Sequence, residues 1–347
     1  MGAQYKSSLK QSHGFTIAEL IVVIVVIVIL ATVAIIGFGS WQASTERTVL
    51  ESDLRAAATS MDTAANFNNS YPSTLPTTYE PSDKTTVSGG AISGTNNYCV
   101  EATRDDVSYF MTKQKVFLPG VCPLVYFSPS LSDSYQSGTS KINDISGHEM
   151  IATFRQGATI DTIGPTYLPN EAGGVMSFDG ENEYSTSTTV DLGPNTTWTT
   201  CAKTNESLSN YNMFMGHRLP YFGSYYYGTS IIFSNSIAGS QRTVTSMSPA
   251  IPLNTWHCYA FTTSYDGTST TMTIYLDGEF RESATFPGQQ TNSAYTFTVG
   301  DGYNSTTSTY KWYPFNGQVG DVAIYPKTLS IEEIKEIYTF QRKKMGI

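Results

Sequence analysis

Hydrophobic and polar positions follow two rhythms along this chain, one helical and one alternating, and each predicts a different element. From Gly14 to Phe38 (GFTIAELIVVIVVIVILATVAIIGF) the run is almost wholly apolar, with Glu19 as its one charge. About twenty such residues span bilayer hydrocarbon as a helix, and a carboxylate among them is costly unless it finds a partner. Beyond Trp41 the helical pattern continues but narrows to one face. Val49, Leu50, Leu54, Ala57, Ala58, Met61 and Ala65 recur at steps of three and four, the stripe of a helix that covers something. A continuous helix from Ile17 to Phe67 would be about 75 Å long at ~1.5 Å per residue. NNSYPSTLP ends it, because two prolines with Asn and Ser do not continue a helix.

The second rhythm is alternation. After a polar stretch with turns at Gly89-Gly90 and Gly94, NYCVEAT and VSYFMTK alternate apolar with polar side chains and predict a small antiparallel sheet that finishes near Cys122. From Pro123 onward the texture changes to short aromatic and β-branched runs separated by Gly, Asn, Asp and Pro, among them LVYFSPS, TWTTCAKT, TWHCYAFTT and TMTIYLDGEF. This is the spacing of a β-sandwich. Tyr275-Leu-Asp-Gly-Glu-Phe reads as a hairpin with a two-residue turn. One late helix, SIEEIKEIYTFQRKK, returns to the helical period, with Ser330 as its cap and Glu332 and Glu333 in its first turn.

The leader sharpens the first region. Lys6 and Lys10, then Gly14 followed by Phe-Thr-Ile-Ala-Glu, resemble the prepilin signature of the type IV pilin and pseudopilin family. A secretory signal peptide has a shorter apolar core, placed before its cleavage site. The resemblance implies that a membrane peptidase cuts between Gly14 and Phe15 and methylates the new amino terminus. It also implies that Glu19, then the fifth residue, faces the terminal ammonium of a neighbouring subunit, which compensates a charge in apolar surroundings. Many members carry a proline midway along the apolar half; this chain has none, and Gly37 and Gly39 weaken the helix less.

The sandwich region carries a second resemblance. Leu124-Val-Tyr, Asp144-Ile-Ser-Gly, Met176-Ser-Phe-Asp-Gly, Asn254-Thr-Trp-His, Ile274-Tyr-Leu-Asp-Gly, Phe315-Asn-Gly-Gln-Val-Gly-Asp and Leu329-Ser-Ile-Glu-Glu-Ile follow the order found in laminin-G-like, concanavalin A-like jelly rolls. The resemblance covers nearly all of residues 123–340. It implies two curved antiparallel sheets with loops at a rim, a fold that often binds carbohydrate or protein and often uses calcium. Where the family often has an acidic pair after Gly-Gln-Val, this chain has Gly320-Asp321.

The expected fold class is therefore α+β: a long pilin helix with a small antiparallel sheet, then an all-β jelly roll. The expected boundaries are 1–14 for the leader, 15–38 for the transmembrane and filament-core helix, 39–122 for the pilin helix and sheet, and 123–347 for the head.

Charge and composition narrow the partners. Net charge is −9, and removing a leader that holds two lysines and no acid takes it to −11. Nucleic acid is repelled, since phosphate contacts dominate its affinity and the one cationic cluster is Arg342, Lys343 and Lys344. With 23 Tyr and 14% charged residues, the balance is that of extracellular β-rich domains. Both leader lysines precede the span, which leaves the bulk of the chain outside the cytoplasm. Cys99, Cys122, Cys201 and Cys258 allow three full pairings, and sequence alone does not choose among them. Order along the chain suggests local pairs, Cys99 with Cys122 and Cys201 with Cys258.

Candidate chemistry is sparse. Asp179, Glu181 and Glu183 alternate in FDGENEY and would share one face of a strand, as calcium ligands or as a solvated turn and strand edge. Asp277, Glu279 and Glu282 raise a glycosidase pair, but Asp277 sits in a hairpin turn and Tyr275 replaces a further alternating acid. His148-Glu149 opens like a zincin motif, yet Ala152 stands where the second histidine would be. Two aromatic loops, 217–228 and 302–314, are the best ligand candidates through Tyr221, Tyr225, Tyr226, Tyr227, Tyr310 and Trp312. Side chains alternate on a strand, so Tyr225, Tyr226 and Tyr227 cannot all point inward.

The function expected is a minor, tip or adhesive subunit of a type IV pilus whose head holds glycan or protein. The nearest alternative is a pseudopilin of a secretion or DNA-import machine, and a membrane-anchored glycosidase is a third. The expected partners are a prepilin peptidase, other pilin subunits, the cytoplasmic membrane before assembly and an extracellular ligand.

Overall fold

The computed structural model describes residues 16–347 apart from 157–158, 161–163, 182, 206–207, 218–222, 229, 248–249, 292–294 and 301–314; the side chains of 33–43 and of several strand positions also lie outside the description. It divides into two units, residues 1–49 and residues 50–347. Helix α1 (Ile17–Asn68) begins in the first unit and ends in the second.

In the first unit, the large apolar side chains from Ile17 to Leu30 are 48% to 80% exposed, all round the helix. In the second, the helix is one-faced as its pattern predicts. Leu50, Leu54, Ala57, Ala58 and Met61 are buried against Tyr98, Val100, Ala102, Tyr109 and Met111. Those partners come from a four-stranded antiparallel sheet, β1 (Thr86–Ala91), β2 (Tyr98–Arg104), β3 (Val107–Thr112) and β4 (Phe117–Pro119), in that spatial order.

Two larger sheets follow. Their strands are β5 (Val125–Phe127), β6 (Lys141–Asn143), β7 (Ile151–Gln156), β8 (Thr159–Ile160), β9 (Thr166–Leu168), β10 (Val175–Asp179), β11 (Glu183–Val190), β12 (Thr196–Thr204) and β13 (Leu208–His217). The chain continues through β14 (Gly223–Gly228), β15 (Ser230–Ile237), β16 (Ser240–Ser246), β17 (His257–Tyr265), β18 (Ser269–Leu276), β19 (Glu279–Pro287), β20 (Tyr295–Val299) and β21 (Asn316–Tyr325). The eight-stranded sheet runs β19-β18-β17-β12-β21-β10-β9 with β5 on β21, and the nine-stranded sheet runs β16-β15-β14-β13-β20-β11-β7-β6 with β8 on β7. The pairings within them are antiparallel, so neighbours alternate in direction across the sandwich.

Strand alternation sorts the eight-stranded sheet into two faces. Trp198, Tyr259, Phe261, Met272, Ile274, Val322 and Ile324 point into the core shared with the other sheet. Their neighbours Ala260, Tyr275, Ala323 and Tyr325 point outward, and helix α2 (Ile331–Met345) covers them with Leu329, Ile334 and Ile337. The same cluster includes Cys99, Phe110, Leu118 and Val121 of the small sheet and its exit, so α2 is core to both. Tyr109 also donates its hydroxyl proton to Glu336 of the helix.

Local chemistry sets these elements. The β18–β19 turn is Asp277-Gly278, both at positive φ (52° and 79°), which Asp tolerates and Gly adopts freely. Helix α2 starts with a full capping box, Ser330 Oγ accepting from Glu333 N–H and Glu333 reaching back to Ser330 N–H, and ends on Gly346 at φ 70°. Disulfides join Cys99 to Cys122 and Cys201 to Cys258, the second pair directly opposite on β12 and β17.

Candidate functional site

At the amino-terminal end the geometry is a second capping box. Glu19 Oε2 accepts from Thr16 N–H and Thr16 Oγ1–H, each at 2.8 Å, and Thr16 Oγ1 accepts from Glu19 N–H at 3.3 Å. A Thr-x-x-Glu phrase ahead of an apolar run carries that signal in the sequence. Gly14 and Phe15 lie outside the described residues. Among the described residues, no helix is long and apolar enough to cross a membrane.

The aromatic candidates are reached in part. Tyr225, Tyr226 and Tyr227 occupy β14, opposite Ile232, Ile231 and Ser230 of β15. Tyr227 is 49% exposed. The side chains of Tyr225 and Tyr226, and all of Tyr221, Tyr310 and Trp312, lie outside the described residues.

The acids expected on one strand face are not on one strand. Asp179 ends β10 in the eight-stranded sheet and Glu183 opens β11 in the nine-stranded sheet, so the phrase crosses between layers. Asp179 Oδ1 accepts from Glu181 N–H at 2.8 Å, a local turn, while Glu183 is buried in register with Arg155. Gly180 at φ 83° makes the change of direction; alternation applies within a strand, and here a turn interrupts it. Among the described residues no group of three or more His, Cys, Asp or Glu side chains is placed to hold a metal ion. Asp321, from the phrase where the family often has two acids, is buried and occupied. It accepts from Lys344 Nζ at 2.6 Å, Ser128 Oγ at 2.7 Å, Gln341 Nε2 at 3.0 Å and Tyr126 OH at 3.0 Å. This acid fastens α2 to the sheet.

Asp144, in Asp144-Ile-Ser-Gly, is also structural. Its carboxylate accepts from Tyr126 N–H, Ser146 N–H and Ser146 Oγ–H at 2.8, 2.9 and 2.5 Å. Burial pushes its pKa up to about 6, against the pull of those donors. His148 Nδ1 lies 3.0 Å from Ser146 Oγ, and burial lowers its pKa. The serine sits between acid and imidazole, so the imidazole is not the bridge that a nucleophilic triad needs. Of the glycosidase candidates, Asp277 is tied to the backbone of Cys258 and to His257, while Glu279 is exposed and 3.6 Å from Lys335.

Two regions of the chain match known families. Residues 9–35 match the prokaryotic N-terminal methylation motif, and residues 171–335 match the concanavalin A-like lectin/glucanases superfamily. The chain joins these two modules. Comparison with curated proteins finds no match. Among solved structures, the β-rich part of this methylation-motif lectin-like chain is similar to domain 4 of AbnA, an extracellular arabinanase from Geobacillus stearothermophilus in complex with arabinotriose. Identity is 18%, over 62% of this chain and 98% of that one, with a TM-score of 0.43. The binding domain of botulinum neurotoxin DC in complex with SialylT matches at 14% identity, over 63% and 52% of the two chains, with a TM-score of 0.45. A Trypanosoma rangeli sialidase matches at 14% identity, over 66% and 34%, with a TM-score of 0.44. At such scores these likenesses say nothing of this chain's ligand.

Proposed function

We propose that the chain is a subunit of a type IV pilus-like filament, whose concanavalin A-like head over residues 123–347 is displayed outside the cell to hold glycan or protein. The observation that carries this reading is the methylation motif and the lectin-like domain on one chain. A prepilin peptidase cuts between Gly14 and Phe15, and residues 15–38 hold the subunit in the cytoplasmic membrane until assembly.

Two physical features support the assembly half. The apolar side chains from Ile17 to Leu30 are exposed all round the helix and are stable only in lipid or among neighbouring helices. The Glu19 carboxylate, satisfied by Thr16 in the free subunit, exchanges that cap for the terminal ammonium of the next subunit as filament replaces lipid. For the head, disulfides stiffen the small sheet's exit and the sandwich, as suits an oxidising exterior. Tyr227, exposed on β14, supplies contact surface.

The test is made on filaments sheared from cells. Mass spectrometry should find the mature chain beginning with N-methylated Phe15, and the filaments should bind a glycan array or host-cell extracts. Filaments that form but bind neither, with or without calcium, would return the protein to the pseudopilin reading. A chain beginning anywhere else removes the pilus reading altogether.

A further inference from the structure

On the outward face of the eight-stranded sheet, where α2 stops covering it, a cavity of about 400 Å³ opens, within the size range of small-molecule sites. Its walls come from three elements. Asn254, Thr255 and Trp256 belong to the approach to β17, Asp277 to the β18–β19 turn, and Tyr338 and Arg342 to the last turns of α2, with Ile347 just beyond that helix. None of these belongs to the aromatic segments proposed above, and the cavity is on the sheet opposite to the one that carries Tyr227.

The polar groups are held in place before any ligand arrives. Asp277 Oδ1 accepts from Cys258 N–H at 2.9 Å, and Oδ2 lies 2.7 Å from His257 Nδ1. A carboxylate only accepts when ionised, so His257 donates from Nδ1. Its Nε2 is buried and meets no hydrogen-bond partner among the described residues, so the imidazole's one polar contact is with Asp277. The carboxylate stays one-third exposed, leaving lone pairs toward the cavity. Arg342 donates through Nε to the main-chain oxygen of Ile347 at 2.7 Å and extends an N–H toward Tyr338 OH at 3.4 Å. Trp256 has Lys203 Nζ 5.6 Å from its ring centroid, and Lys203 is itself held by Glu171 at 2.5 Å. Positions fixed by such supporting contacts are what a binding site requires.

The donor set selects a ligand class. Asp277 and Arg342 bring one charge of each sign to the lining, and the main-chain oxygen of Ile347 already takes up one N–H of that guanidinium, so the site offers no free cationic pair to favour a phosphate. A single carboxylate is too few for calcium, which takes six or more oxygens. Acceptor, guanidinium, amide and hydroxyl converge beside two aromatic rings with apolar bodies. Both donors and acceptors flanking a ring that has its own apolar faces match a neutral, hydroxyl-rich pyranose. We infer that this cavity is a second sugar-binding site of the head, taking one neutral sugar unit, with Asp277 and Arg342 holding adjacent hydroxyls and Trp256 and Tyr338 lining its apolar side. This inference rests on the lectin-like reading of the head.

Saturation-transfer NMR on the detergent-solubilised full chain tests it, with the methyl glycosides of glucose, galactose and N-acetylglucosamine as probes and phenylalanine as the zwitterionic control. Saturable binding of at least one glycoside is expected, weakened at least tenfold by Asp277→Asn and by Arg342→Gln. Asn tolerates the left-handed turn and keeps an acceptor for Cys258 N–H, so the first variant preserves the hairpin; the second alters an exposed side chain. Glycoside binding lost with Tyr227→Ala, while Asp277→Asn and Arg342→Gln bind as the parent does, overturns this site and leaves the adhesive reading standing. Transfer to phenylalanine alone, or to no probe, also overturns the site. The adhesive reading fails only if the filaments bind no array component and no host-cell extract.

Discussion

Helix α1 opens with Thr16 and Glu19 capping each other, and α2 opens with Ser330 and Glu333 doing the same. Their later courses diverge. Beyond its cap, α1 leaves its large apolar side chains 48% to 80% exposed as far as Leu30, whereas α2 buries Ile334, Ile337 and Met345. A local cap starts a helix but does not determine what covers it. For α2 the chain supplies its own cover from two sheets; the start of α1 is left open, and the filament proposed above is what would cover it.

The largest effect that would break this contrast is on assembly. Glu19→Ala should reduce filament yield to background while leaving the unfolding temperature of the head unchanged, measured by shearing and by differential scanning. Parental filament yield would mean that the carboxylate serves only its own helix.

The next effect lies under α2. Asp321→Ala strips the shared acceptor from Lys344, Gln341, Ser128 and Tyr126 and should destabilise the second unit by about 3 to 5 kcal/mol. A urea midpoint close to the parent's would show that the network is incidental to the docking of α2.

The pH dependence follows from Asp144. Its folded pKa is raised from 3.8 to about 6 by burial, so folding favours the protonated acid. That contribution is fully present below 3.8 and disappears as pH rises through about 6, an effect of at most about 3 kcal/mol for two pKa units. Asp144→Asn should flatten the stability profile between those limits, read from denaturant titrations at stepped pH. An unchanged slope would assign the titration to another group.

The smallest effect compares the two caps. Ser330→Ala should cost about 1 kcal/mol of the second unit's stability, whereas Thr16→Ala should leave that unit's melting untouched. Equal losses from the two substitutions would remove the distinction between a helix covered by its own chain and one awaiting others.

Much of this is legible in the sequence. Leu50, Leu54, Ala57, Ala58 and Met61 show a helical period that maps directly onto one buried face, because 3.6 residues per turn fixes which side chains align. Asp277-Gly278 named its turn because so few residues tolerate positive φ. The FDGENEY acids misled for the converse reason: alternation was extended across Gly180, where the chain leaves one sheet for the other. The Trp256 and Asp277 phrases were visible only as marks of a fold, and Arg342 only as a charge at a helix end.

What the sequence determined by itself was local or periodic: the apolar run with its one acid, the caps, the hairpin turn and the inward and outward faces of strands. What the tertiary structure decided was which distant surfaces those faces meet. It set α2 between two sheets, gave Asp321 to Lys344 and brought Asn254, Trp256, Asp277 and Arg342 around one cavity. Periodicity follows from backbone geometry within a few residues. Contacts between residues far apart in the chain depend on how whole faces pack, and no short stretch of sequence encodes that.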